Sequence, residues 1–168
     1  MDRVIEELIY LLDEAFEGKG IEETNESQSL MANLASVDET GWRAAPSGGT
    51  RTVESVVLHV GSCKIMYDEY AFGAGKLTWD DPTVQPWREG EGRRSEALTW
   101  LTDAHNRLME HVRALDADDL ARPRPANWGE ERETRWLLST LLQHDAYHAG
   151  EVNHMRALLA GDDAWRWG

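Results

Sequence analysis

Apolar residues recur every three or four positions along most of the chain, the period of helices that bury one face. Val4, Ile5, Leu8, Leu11, Leu12, Ala15 and Phe16 keep this spacing, and Gly18-Lys19-Gly20 ends the segment. A second helix is expected over residues 21 to about 37. Its later half carries Leu30, Leu34 and Val37, and its earlier half, 22–28, is polar and reads as solvated or frayed. Residues 38–50 are rich in Gly, Pro and Ser and read as a loop anchored by Trp42. Thr52 then suits the N-cap of a helix to about Phe72, with Val56, His59, Cys63, Met66 and Tyr70 on its inner face. Residues 76–92 form a long connection holding Trp79, Pro82, Pro86 and Trp87, long enough to cover one end of a bundle. Leu98, Leu101, His105, Leu108, Val112 and Leu115 place a bundle-seam helix over 95–115. A polar loop with Trp128 follows over 116–129, and the last helix runs from about 132 to 160, where Gly161 closes it. No alternating run predicts a strand and no segment repeats. The expectation is a single all-α domain over 1–168.

The last helix breaks its own pattern. At about 100° per residue, Leu137, Leu141, Met155 and Leu159 share a face with His144, His148 and Glu151. An unpaired polar group in a core costs on the order of 1–3 kcal/mol. Three of them stacked on a core stripe call for a partner, and a metal ion is the simplest one. His144 and His148 at i, i+4 are separated by a rise of about 6 Å, so both imidazoles can reach one ion. That spacing alone is common. His59, a mid-helix histidine on a second core stripe, raises its weight, since packed helices would bring all three to the middle of a bundle. A hydrogen-bonded polar cluster without metal is the competing reading.

Other residues are weighed beside these. His144-Asp145-Ala146-Tyr147-His148 is similar to the zinc-protease pattern H-E-x-x-H, but Asp145 replaces the base and no third ligand follows at a protease spacing. A protease is therefore excluded. Cys63, one turn after His59, could supply a thiolate, although a small buried hydrophobe is the plainer reading. His105 is either a fourth ligand or a satisfied core histidine. His111 and His154 fall off the inner faces and are expected in solvent. Glu151 could orient a ligand, act as a base or bind the ion; orienting a ligand is the default, because a metal-bound His needs an acceptor on its other nitrogen. Asp145 and Tyr147 face elsewhere and read as structural. Loop tryptophans could line a pocket mouth or pack under their loops.

Composition narrows the function. With 17 basic and 31 acidic residues among 168, the formal charge is −14. So acidic a chain is repelled by phosphate backbones and anionic membranes, which argues against nucleic-acid partners. The opening residues lack an apolar signal core and no run is long enough for a membrane span. The lone Cys63 excludes an internal disulfide and fits a reducing cytoplasm.

Taken together, Gly41-Trp42-Arg43, Leu58-His59-Val60 and Gln143-His144-Asp145-Ala146-Tyr147-His148-Ala149-Gly150-Glu151 resemble the DinB/YfiT-like superfamily of metal-binding four-helix bundles. The resemblance covers most of the chain and is specific in combination. It implies a four-helix bundle, here with an extra N-terminal helix and long loops. That helix is either an elaboration or the first half of the first bundle helix. The resemblance also implies a divalent metal, Zn²⁺ or Ni²⁺, on His59, His144 and His148, and a homodimer. Some relatives look like transferases using low-molecular-weight thiols such as bacillithiol, mycothiol or glutathione, and others like hydrolases or isomerases. A three-His set leaves positions open, the catalytic pattern. The leading expectation is a metal-dependent thiol S-transferase acting on a small-molecule substrate. The alternatives are a hydrolase in which Glu151 or Asp145 moves the proton, and a non-catalytic metal-binding or stress-response protein.

Overall fold

The computed structural model describes residues 2–18 and 28–161. In order these form α1 (Arg3–Phe16), α2 (Leu30–Ala35), α3 (Glu39–Arg43), α4 (Val53–Phe72), α5 (Arg94–Arg113), a 3-10 turn (Asp118–Ala121), β1 (Pro123–Pro125), β2 (Glu131–Glu133) and α6 (Thr134–Ala160). Four of these build the bundle. α4 packs on α5 and on α6, and α1 closes the ring by packing on both α5 and α6. The architecture is the all-α bundle that the periodicity predicts.

Local chemistry sets the helix ends. Asp2 accepts a hydrogen bond from the Val4 N–H at the start of α1. Thr52 and Ser55 cap α4 reciprocally, each side chain accepting from the other's backbone N–H. Gly161 ends α6 at φ 65°, a left-handed conformation that favours glycine. The expected second helix is shorter than its periodicity suggests. Ser29 accepts from the Ala32 N–H and starts α2 at Leu30, while residues 19–27 lie outside the described residues.

The N-terminal helix takes the first-half role. Leu12 of α1 joins Leu108, Met109, Val112, Leu138 and Leu141 in the core at the end where α6 begins. Phe16 joins Leu30 and Leu34 of α2, with Val56, Val60, Val152 and Met155, at the other end. One position of the bundle is thus filled in two pieces.

Three differences from the sequence reading have physical causes. Within the expected loop 38–50, Asp38 accepts from the Gly41 N–H and caps the short α3, which buries Trp42. β1 and β2 pair antiparallel, Arg124 opposite Arg132, where no strand is expected. Pro123-Arg124-Pro125 cannot continue a helix, and the hairpin ends by passing the Thr134 N–H to the Arg122 carbonyl at 3.0 Å. The connection 76–92 lies along α4 and α5 rather than across an end. Ser62 Oγ donates to the Val84 carbonyl at 2.7 Å and Trp100 Nε1 donates to that of Thr83 at 3.2 Å.

α4 is the central helix, with 15 of its 20 residues buried, charged ones among them. Each buried charge has a partner. Glu54 takes Arg43 at 3.2 Å, Asp68 and Glu69 take Arg107 at 2.7 and 3.0 Å, and Lys64 takes Asp145 at 2.6 Å. Lys64 and Asp145 are both fully buried. The ammonium also lies 4.8 Å from the centre of the Phe16 ring and 3.3 Å from His105 Nδ1.

Removing one member of such a pair leaves an uncompensated charge in the core. Lys64→Ala is expected to lower unfolding stability by about 3–5 kcal/mol, and Lys64→Met with Asp145→Leu to recover most of that loss, as read by denaturant unfolding. Gly61 meets the Trp100 ring, where an added Cβ would sit 2.2 Å from Cζ3. Gly61→Ala should therefore cost about 1–3 kcal/mol in the same measurement.

Candidate metal centre

His59 comes from α4, and His144 and His148 from successive turns of α6. His144 Nε2 lies 3.1 Å from His59 Nε2 and 3.2 Å from His148 Nε2. The candidate ligand atoms of the three side chains all fall within 4.8 Å of one another, and among the described residues no other His, Cys, Asp or Glu group could hold a metal ion. The sequence reading places them in the packed interior. The structure places them at the outer edge of the α4–α6 seam: His59 is exposed, His144 half-buried and His148 3% exposed. Leu58 and Val60 take the buried positions on either side of His59, which turns that imidazole toward the rim.

Electrostatics keep these imidazoles neutral. Burial, reinforced by His148 and His59, lowers His144 to a pKa of about 3. Burial also lowers His59, with His148 and Arg51 acting the same way. His148 is lowered by burial, against the opposing pull of Glu151. That pull comes from a hydrogen bond: His148 Nδ1 donates to Glu151 Oε2 at 2.6 Å, which leaves Nε2 with its lone pair. Glu151 Oε1 in turn pairs with Arg51 Nε at 3.3 Å. The Glu151 carboxylate thus bridges the His148 ring and the Arg51 guanidinium.

The other candidates fall into place around this set. Cys63 Sγ is 3.8 Å from His59 Nδ1 and 3.9 Å from Nε2, and burial pushes its thiol up to about 11. It is a buried neutral thiol against the ring edge. His105 is a satisfied core histidine, stacked on Phe16 at 3.8 Å and set between Lys64 and Asp13. Asp145 is buried on Lys64. His154 is exposed, as expected. His111 is not simply solvated, because its Nδ1 lies 2.6 Å from Asp68 and its ring stacks on Phe72.

The sequence reading gives Tyr147 a structural place on another face and passes over Arg51. Tyr147, 69% exposed, sets its ring edge-on to His148 at 5.0 Å. Arg51 sits in a loop, where no periodicity marks it. Of the loop tryptophans, Trp42 is buried and Trp87 packs on Trp100, whereas Trp128 is half-exposed against Tyr67 and Trp136. A surface pocket of about 280 Å³, lined by Thr40, Arg156 and Leu159 among others, includes none of the three histidines.

The donor set suits a divalent ion. Metal–nitrogen bonds of about 2.0–2.1 Å in a tetrahedral shell place neighbouring nitrogens roughly 3.3 Å apart, close to the distances from His144 to His59 and to His148. A single cation satisfies three lone pairs at once, whereas a shared proton satisfies two.

With all three imidazoles lowered, the unfolded chain binds protons more readily below its ordinary histidine pKa of 6.5. In the metal-free protein the stability these histidines contribute is therefore full above about pH 6.5 and is lost as pH falls from there toward about pH 3, the folded value of His144. Thermal unfolding between about pH 8 and about pH 5 should show this fall, shallower in His144→Gln. Parallel curves for the two proteins would contradict it.

The sequence profile of the DinB superfamily matches residues 23–152, from before α2 into the last turns of α6, and includes all three histidines. No curated protein matches the chain. Among the described residues no helix is long and apolar enough to cross a membrane. With the bundle, the matched segment and the convergent histidines together, the chain belongs to the DinB superfamily.

Proposed function

We propose that this is a metal-dependent enzyme, most concretely a thiol S-transferase, whose His59, His144 and His148 hold a divalent ion, Zn²⁺ or Ni²⁺. The observation that carries the reading is the convergence of three neutral imidazole nitrogens beside an exposed rim. An ion bound there lowers the pKa of a coordinated thiol or water and so makes a nucleophile available near neutral pH. A purely structural ion calls for a closed shell of side chains. Here Cys63 stays a buried thiol and His105 is engaged elsewhere, which favours a shell with room for substrate.

The protein's own groups then have distinct tasks. Glu151 Oε2 takes the Nδ1 proton of His148 in a hydrogen bond and fixes the ring with Nε2 free. Among the described residues Glu151 is the acidic side chain that touches the histidine set, so it is the group placed to pass on to solvent the proton that a thiol releases. The sulfur forms a bond to an electrophilic carbon while the leaving group departs with the bonding pair. Asp145, fully buried on Lys64, serves the fold in this reading rather than the proton. A small-molecule substrate, a homodimer and a cytoplasmic location, where such thiols stay reduced, complete the proposal. The lone Cys63 supports the last of these.

Metal analysis of the purified protein should find about one divalent ion per chain, lost in His59→Ala. Glu151→Gln should weaken metal affinity about 10–100-fold. A panel of low-molecular-weight thiols with an electrophilic substrate should show turnover that needs added thiol and collapses in His59→Ala. Turnover with water alone would make the protein a hydrolase instead. A metal-loaded protein inert with every thiol and with water would favour the non-catalytic reading.

A further inference from the structure

The guanidinium of Arg51 stands beside the candidate centre with most of its hydrogen-bonding capacity unspent. Its Nε pairs with Glu151 Oε1 at 3.3 Å, and the side chain remains 46% exposed. Among the described residues its terminal amino groups make no hydrogen bond. The arginines that lie on buried or half-buried acceptors spread their donors over more than one. Arg107 serves Asp68 and Glu69, and Arg43 serves Glu54 and the Gly92 carbonyl. Arg124 serves Thr134 and the Ala71 carbonyl. The charge on Arg51 also bears on all three imidazoles, which places it within their electrostatic reach.

Charge balance gives this geometry a meaning. A divalent ion on three neutral imidazoles, with one guanidinium and one carboxylate, leaves two positive charges at the rim. A plain thiolate cancels only one of them. The body of the protein carries −14, which disfavours an anion approaching any other face. Its field is screened beyond about 8 Å at physiological salt, so the local cations decide what binds. A planar guanidinium with free terminal amino groups matches a carboxylate in a two-pronged hydrogen bond.

We infer that Arg51 is a specificity-determining residue that holds the carboxylate of an anionic thiol beside the His59–His144–His148 centre. This rests on the thiol reading proposed above and narrows its ligand class to thiols that carry a carboxylate. Arg51 also anchors Glu151, but that task consumes Nε alone.

The test compares 3-mercaptopropionate with 3-mercapto-1-propanol, and propionate with 1-propanol, by calorimetric titration into metal-loaded protein. The proteins are wild type, Arg51→Gln and Arg51→Lys, checked for equal metal content and helicity. Wild type should bind the thiol acid about five- to tenfold more tightly than the thiol alcohol. That preference should vanish in Arg51→Gln and survive in part in Arg51→Lys. A merely structural role would weaken both thiols alike and leave their ratio unchanged, so a ratio unaltered in Arg51→Gln overturns the assignment. If neither thiol binds, the thiol reading falls, and the propionate arm still decides Arg51. Binding of propionate that depends on Arg51 supports an anion site, and binding that does not, or none, overturns it.

Discussion

The ammonium of Lys64 and the carboxylate of Asp145, 2.6 Å apart with no exposure to water, fix where α4 meets α6. Neither charge can leave the other without heavy desolvation cost, so the two helices hold one register. That register carries the chemistry, because Asp145 adjoins His144 in the chain and Lys64 follows His59 by little more than one turn. A slide of either helix by one turn would carry His59 about 5 Å from its partners. The buried salt bridge and the three nitrogens share one alignment of α4 on α6.

The same pair shows what the sequence does and does not reveal. The long helices are legible because Leu, Val and Ile keep a 3.6-residue period and because Thr52 and Gly161 mark ends by known backbone chemistry. The histidine set is legible because polar side chains on an apolar stripe break a simple pattern. Nothing in the sequence marks Lys64, Glu54 and Asp68 as interior, yet all are buried, since α4 is enclosed by neighbours that supply Asp145, Arg43 and Arg107 from distant parts of the chain. Pairings across such separations have no local signature.

The misplacement of His59 has the same origin. Helical periodicity locates a face but not how deeply a partner helix covers it. Of the stripe Val56, His59, Cys63 and Met66, three are buried and His59 is exposed, beside the α6 histidines rather than beneath them. The β1–β2 hairpin was hidden for another reason: strands of three residues, made of Pro, Arg and Glu, have no apolar alternation to display. Arg51 belongs to neither class, for it acts from a loop and its place beside Glu151 exists only once α4 and α6 are packed.

The boundary of family similarity and the boundary of the folding unit do not coincide in this protein. The matched segment starts at residue 23, whereas α1 ends at Phe16. A chain trimmed to the similar region would lose one wall of the bundle, and Leu108, Met109, Val112, Leu138 and Leu141 would open to water where Leu12 now covers them. Phe16 would also no longer lie under the Lys64 ammonium or against the His105 ring. A helix outside the matched segment thus screens a buried ion pair that lies inside it.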